Sequence, residues 1–117
     1  MMSKHTLALL QQIAHGIAVH FGNNCEVLVH DLTADYTGSS IVIIEHGNVT
    51  MRKIGDGPSH VVLEALHSGH KTLEDKLSYL TKTKDGRILK SSTMFIRGED
   101  DSIEAVLSIN FDITSMQ

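Results

Sequence analysis

Apolar residues recur at helical spacing over residues 3–21, where Leu7, Leu10, Ala14, Ile17 and Phe21 share one face. Leu9, Ile13 and Ala18 widen that stripe. Ser3 stands where an N-cap belongs, and Gly22 followed by Asn23-Asn24 is a helix stop. A helix this apolar must dock on something, either its own sheet or a second subunit. Beyond it the period changes from helical to alternating. Residues 25–32 (CEVLVHDL) put Cys25, Val27, Val29 and Asp31 on one side of a strand and Glu26, Leu28 and His30 on the other. Residues 40–45 (SIVIIE) form a β-branched run that reads as a strand buried on both faces.

His46-Gly47-Asn48 is a turn, and residues 49–54 read as a short strand or an irregular segment. Asp56-Gly57-Pro58 starts a second helix, with Asp as cap and Pro in the first turn. That helix should run to His67, stop at Gly69 and bury Val61, Val62, Ala65 and Leu66. A weaker helix or loop covers residues 70–77, and residues 79–84 are a third strand. Asp85-Gly86 then turns the chain into two long strands within DGRILKSSTMFIRGEDDSIEAVLSINFDI. In the last strand Ser108, Asn110 and Asp112 alternate with Leu107, Ile109, Phe111 and Ile113. Such a strand packs a core on one side and meets something polar on the other. Strands on either side of a helical insert, with tight turns among the last three, predict an α+β fold with an antiparallel sheet.

Composition narrows the classes. A chain of 117 residues with 41% hydrophobic and 21% charged residues matches a single ordinary globular domain. Its net charge of −4 argues against a nucleic-acid surface spread over the chain. No apolar run reaches the roughly 18 residues that cross a bilayer, and no leader pattern opens the chain, so the expectation is cytoplasmic with no membrane partner. Cys25 is the single cysteine and cannot form an internal disulfide.

The polar strand residues are the first site candidates. Ser91, Ser92 and Thr93 carry hydroxyls that can hold a polar ligand or satisfy neighbouring backbone. Side-chain alternation keeps Ser92 from sharing a pocket with Ser91 and Thr93. Asn110, mid-strand, needs partners if buried, whether from a structural network or from a ligand. Asp112, near the strand end, reads as solvated. His30 can titrate near neutrality, yet its neighbour Asp31 faces the other way, so the two form no dyad. Cys25 reads as a small buried hydrophobe. Glu64, His67 and His70 are spaced for a metal, but Gly69 breaks their helix and no fourth ligand is evident, so no metal site is assigned. No nucleophile elbow or phosphate loop appears, which argues against an enzyme.

The pieces Asn24-Cys25-Glu26-Val27 with His30-Asp31, Asp85-Gly86-Arg87, Lys90-Ser91-Ser92-Thr93, Ile96-Arg97 and Ile109-Asn110 with Asp112 resemble the YheO-like PAS domain. This is a sensor module of bacterial transcription regulators, and the resemblance runs in order from about Phe21 to Thr114. It implies a five-stranded antiparallel PAS sheet with helices over one face and a small ligand between them. The expected division is an N-terminal docking or dimerisation helix over 1–22 and a PAS-like sensor domain over 23–117. The implied function is to sense a small polar effector, of unknown identity and with no certain cofactor, and to control a helix-turn-helix DNA-binding domain outside this chain.

Candidate ligand contacts are His30, Ser91, Ser92, Thr93 and Asn110. A homodimer is expected, with Leu7, Leu10, Ile13, Ile17 and Phe21 as candidate contacts. The alternative is a ligand-free PAS-like protein–protein interaction module whose pocket is filled by its own side chains. With three Phe and two Tyr in the chain, Leu, Ile and Val would have to fill it. A small enzyme or metal protein using the eight histidines is a third reading.

Overall fold

The computed structural model describes residues 2–33, 40–52, 54, 63 and 73–116. Helix α1 spans Lys4–Phe21 and is followed by strands β1 (Cys25–Asp31) and β2 (Ile41–Glu45). A 3-10 turn at Gly47–Val49 comes next, then β3 (Lys76–Lys82), β4 (Ile88–Arg97) and β5 (Ile103–Asp112). The strands form one sheet in the order β2-β1-β5-β4-β3, and every neighbouring pair is antiparallel. First and last long strands meet at the centre, so β1 is hydrogen-bonded on both edges and buried on both faces. This is the expected α+β, five-stranded antiparallel architecture.

The helix begins and ends where its sequence says. Ser3 Oγ accepts the Thr6 amide at 3.1 Å, and Gly22 closes the helix at φ 90°, a conformation that favours glycine. Leu10, Ala14 and Ala18 are buried with Met2 against Cys25, Val27, Val29, Ile43, Ala105 and Leu107, and Leu7 and Ile17 pack at the edge of this cluster. Two alanines at the contact let the helix backbone lie close to the sheet. Burying a side chain such as Leu10 stabilises the docked helix by about 1.5–3 kcal/mol. His15 Nδ1 also meets Glu45 Oε1 at 2.9 Å. That pair is solvent-exposed and sets orientation more than stability.

The helix therefore docks on its own sheet. Leu10 is not available as a dimer contact, because it is 5% exposed inside its own core, and Leu7 and Ile17 pack partly buried against the same core. Ile13 and Phe21 remain 42% and 52% exposed.

Other expectations shift in detail. Strand β2 is not buried on both faces. It is an edge strand, and Val42 faces solvent while Ile41 and Ile43 are buried. Residues 49–54 hold no strand among those described. Strand β3 starts at Lys76, inside the expected loop, and ends at Lys82, because Thr83 and Arg87 close the turn. Thr83 N donates to Arg87 O at 2.9 Å and Gly86 N to Thr83 O at 3.1 Å, with Gly86 at φ 88°. The second helix expected from Asp56, and the Glu64, His67 and His70 trio, lie outside the described residues.

Candidate functional site

Strand register decides which polar residues meet. Across the sheet Glu26 sits beside Asn110, which sits beside Ser91; Leu28 neighbours Ser108, which neighbours Thr93. His30 pairs with Val106 on the same face, and Tyr79 on the edge strand lies beside Ser91. The structure thus gathers His30, Ser91, Thr93 and Asn110 on the face opposite α1. Ser92 is on the other face, as alternation requires: its Oγ accepts the Ser78 amide at 3.0 Å. There it lines an apolar cavity of about 400 Å³ with Phe21, Cys25 and Phe111.

On the polar face the hydrogen bonds run in one direction. Glu26 is fully buried. Its Oε2 accepts the Thr50 amide at 3.0 Å and the Thr50 hydroxyl at 2.7 Å. Its Oε1 accepts Asn110 Nδ2 at 3.0 Å, and Asn110 Oδ1 accepts the Ser91 hydroxyl at 2.8 Å. Since Ser91 has spent its one proton, Thr81 Oγ1, 3.1 Å away, is the donor to Ser91 Oγ. The carboxylate is therefore the end point of a relay of donors, and this orients the Asn110 amide with nitrogen toward Glu26. Tyr79 OH and Thr93 Oγ1 form a second pair at 2.8 Å.

His30 sits at the β2 side of this face. Its Nδ1 is 2.7 Å from Ser40 Oγ, and its Nε2 is a buried atom with no hydrogen-bond partner among the described residues. Burial, aided by the positive charge of Arg52, pushes its pKa down to about 4, so the ring is neutral at pH 7. On the opposite side of β1, burial and then the charge of Glu26 push the Cys25 thiol up. Cys25 thus stays a protonated, buried side chain.

Arg87 fastens the Gly47–Val49 turn over the sheet. Its Nη2 donates to the Val49 carbonyl at 2.7 Å, and its Nε meets Asp85 at 3.1 Å. Its Nη1 lies 3.5 Å from Asp112 Oδ2. Asp112, expected to be solvated, instead accepts the Thr114 hydroxyl and amide, which with Arg87 hold its carboxyl below the usual range. The turn so held delivers Thr50 and Arg52 to the polar face. Together with Leu28, Tyr79, Thr81, Lys82, Thr93, Ser108 and Asn110 they line a cavity of about 250 Å³. Ser91, held behind Asn110, does not itself line it, and neither does His30.

Of the residues proposed from sequence, Thr93 and Asn110 line this cavity, while Glu26, Thr50, Arg52 and Tyr79 are not among the candidates. Glu26 left a signal: an acid inside the apolar run CEVLVHD, on the face of Leu28 and His30, must find donors. Thr50 and Arg52 left none, because only the path of the turn brings them there.

The family model of the YheO-like PAS domain matches residues 1–117. The chain belongs to the YheO-like PAS domain family. It is 30% identical over 105 residues to the uncharacterized protein YheO of Escherichia coli K12, covering 88% of this chain and 42% of that protein. An uncharacterized Haemophilus influenzae protein is 27% identical over 101 residues, covering 86% of this chain and 44% of its own length. This PAS chain thus spans less than half the length of these curated relatives.

Among solved structures, an RNA-binding Light-Oxygen-Voltage receptor superposes over 94% of this chain and 35% of its own, with a TM-score of 0.54 and 16% identity. That likeness is one of fold. The PAS fold is a sensory and interaction module, and among the described residues no helix is long and apolar enough to cross a membrane.

Proposed function

We propose that this PAS domain is the sensory part of a bacterial transcription regulator, binding a small polar ligand on the face that carries Glu26 and Asn110. The observation that supports this reading is the 250 Å³ cavity with its hydroxyl and amide wall. A wall of this kind is preorganised, since the relay from Thr81 to Glu26 fixes Ser91 and Asn110 before any ligand arrives. Ligand contacts then fall to Thr93 and Asn110, with Ser91 supporting Asn110 and His30 lying at the margin. Control of DNA would pass through a helix-turn-helix segment outside this chain, in a homodimer that matches operator symmetry.

A second reading, a module that works by protein–protein contact alone, is favoured by the exposed apolar side chains Leu9, Ile13 and Phe21 on α1 and Met116 near the sheet end. In either reading Ile13 and Phe21, with Leu9 and Val19, are exposed on the helix and free to meet a partner. Native mass spectrometry of the purified chain, set beside its denatured mass, separates the two. An extra small mass lost on denaturation is expected if the domain is a sensor. A bare dimer would favour the contact module. A bare monomer that also ignores every added small molecule would sink both.

A further inference from the structure

We infer that the ligand of this cavity is a small organic carboxylate carrying a hydroxyl group, held by Arg52. The inference rests on the sensor reading above and adds the chemical class. Among the described residues the cavity wall contains two cations, Arg52 within and Lys82 at the exposed rim, and no carboxylate. Neither cation forms an ion pair or a side-chain hydrogen bond among those residues. Glu26 does not itself line the cavity, and its oxygens already accept hydrogen bonds from Thr50 and Asn110.

An Arg side chain lining a cavity whose described wall carries no acid is a site for an anion, and its planar fork matches a carboxylate. A cationic ligand would enter against the charge of Arg52. The rest of the wall selects for hydroxyl. Ser108 lies between Leu28 and Thr93 in the register, and its hydroxyl has no hydrogen-bond partner among the described residues. Beside it the Tyr79 and Thr93 hydroxyls are paired only with each other, leaving lone pairs for a ligand donor. Leu28 and Leu89 supply a small apolar floor. A volume of 250 Å³ holds about eight waters at ~30 Å³ each. The ligand should therefore have about that many non-hydrogen atoms.

The test is calorimetric titration of the full chain with L-lactate and L-malate, beside neutral lactamide and glycerol, cationic ethanolamine and inorganic phosphate. The carboxylates should bind and the neutral and cationic probes should not. Arg52→Gln should weaken carboxylate binding by about tenfold or more, with Arg52→Lys recovering part of it. Circular dichroism checks that both variants stay folded, and Ser108→Ala gives a second, uncharged variant that should weaken malate and lactate alike. Binding of glycerol or ethanolamine without the carboxylates overturns the anion class and leaves the sensor reading standing. Phosphate binding as tightly as the carboxylates, through Arg52, replaces the organic acid with a simple anion. Silence of every probe, with a bare native mass, sinks the sensor reading and this assignment together.

Discussion

Replacing Asn110 with Asp should be among the most damaging single changes on the polar face, and pairing it with Glu26→Gln should restore most of the loss. Asn110 Nδ2 lies 3.0 Å from Glu26 Oε1, so Asn110→Asp sets a second carboxylate against a fully buried first one. At about 3 Å and an effective dielectric of about 20, two like charges repel by roughly 5 kcal/mol. The pair can escape by taking up a proton, at a cost of about 4 kcal/mol at pH 7 for a group whose ordinary pKa is near 4. The loss is therefore capped at about 4 kcal/mol, or roughly a 15 °C fall in melting temperature for a domain of this size.

Its pH dependence has a fixed sign. The folded variant holds the extra proton to higher pH than the unfolded chain, so the deficit shrinks by about 1.4 kcal/mol per unit as pH falls from 7 toward 4. In the double variant the amide introduced by Glu26→Gln donates its N–H to the carboxylate introduced by Asn110→Asp, while its oxygen still accepts both Thr50 donors. That carboxylate still accepts the Ser91 hydroxyl. Urea unfolding of wild type, both single variants and the double variant, at pH 7 and pH 5, closes the cycle. Additive losses, or an Asn110→Asp deficit that does not change with pH, would refute the directional relay.

Because the His30 pKa is pushed from 6.5 down to about 4 in the folded state, the unfolded chain takes up its proton first. Stability should fall as pH drops from about 6.5 to 4, by about 3 kcal/mol in all, and urea midpoints of His30→Gln should lack this slope. Leu10→Ala should cost about 2–5 kcal/mol by opening a void under α1, whereas Ile13→Glu, at an exposed position, should leave stability to urea within about 0.5 kcal/mol. Analytical ultracentrifugation of Ile13→Glu then reads any effect on association without a folding defect. A Cβ on Gly47 would run into the Arg52 carbonyl oxygen and lie 2.6 Å from Ile44 Cδ1. Gly47→Ala should therefore displace the turn that carries Thr50 and Arg52, and a lowered melting temperature in a thermal scan checks it.

How far the sequence can be read depends on the distance over which each feature is decided. The capped helix, the Asp85-Gly86 hairpin and the alternation of β5 are set within a few residues, and the register across β1, β5 and β4 then follows from which face is apolar. The same logic separates Ser92 from Ser91 and Thr93. It fails at β2, where Ile41 to Ile44 is apolar at every residue, yet only sheet order reveals an edge strand with Val42 in solvent.

It fails again at the site, for a different reason. Asn110 is readable as an amide in need of partners, but its partner Glu26 lies 84 residues away in sequence, and Glu26 in turn depends on Thr50 from a turn with no regular period. The same strand, β1, shows what the pattern hides. Its odd positions Cys25, Val27 and Val29 build the core under α1, and its even positions Glu26, Leu28 and His30 build the polar face. A one-residue slip of β1 would exchange these sets, placing a carboxylate and an imidazole under the helix and leaving Thr50 and Asn110 without their acceptor. The burial of Glu26 thus specifies register as well as the site, which is why a polar residue inside an apolar run carries more information than the apolar residues around it.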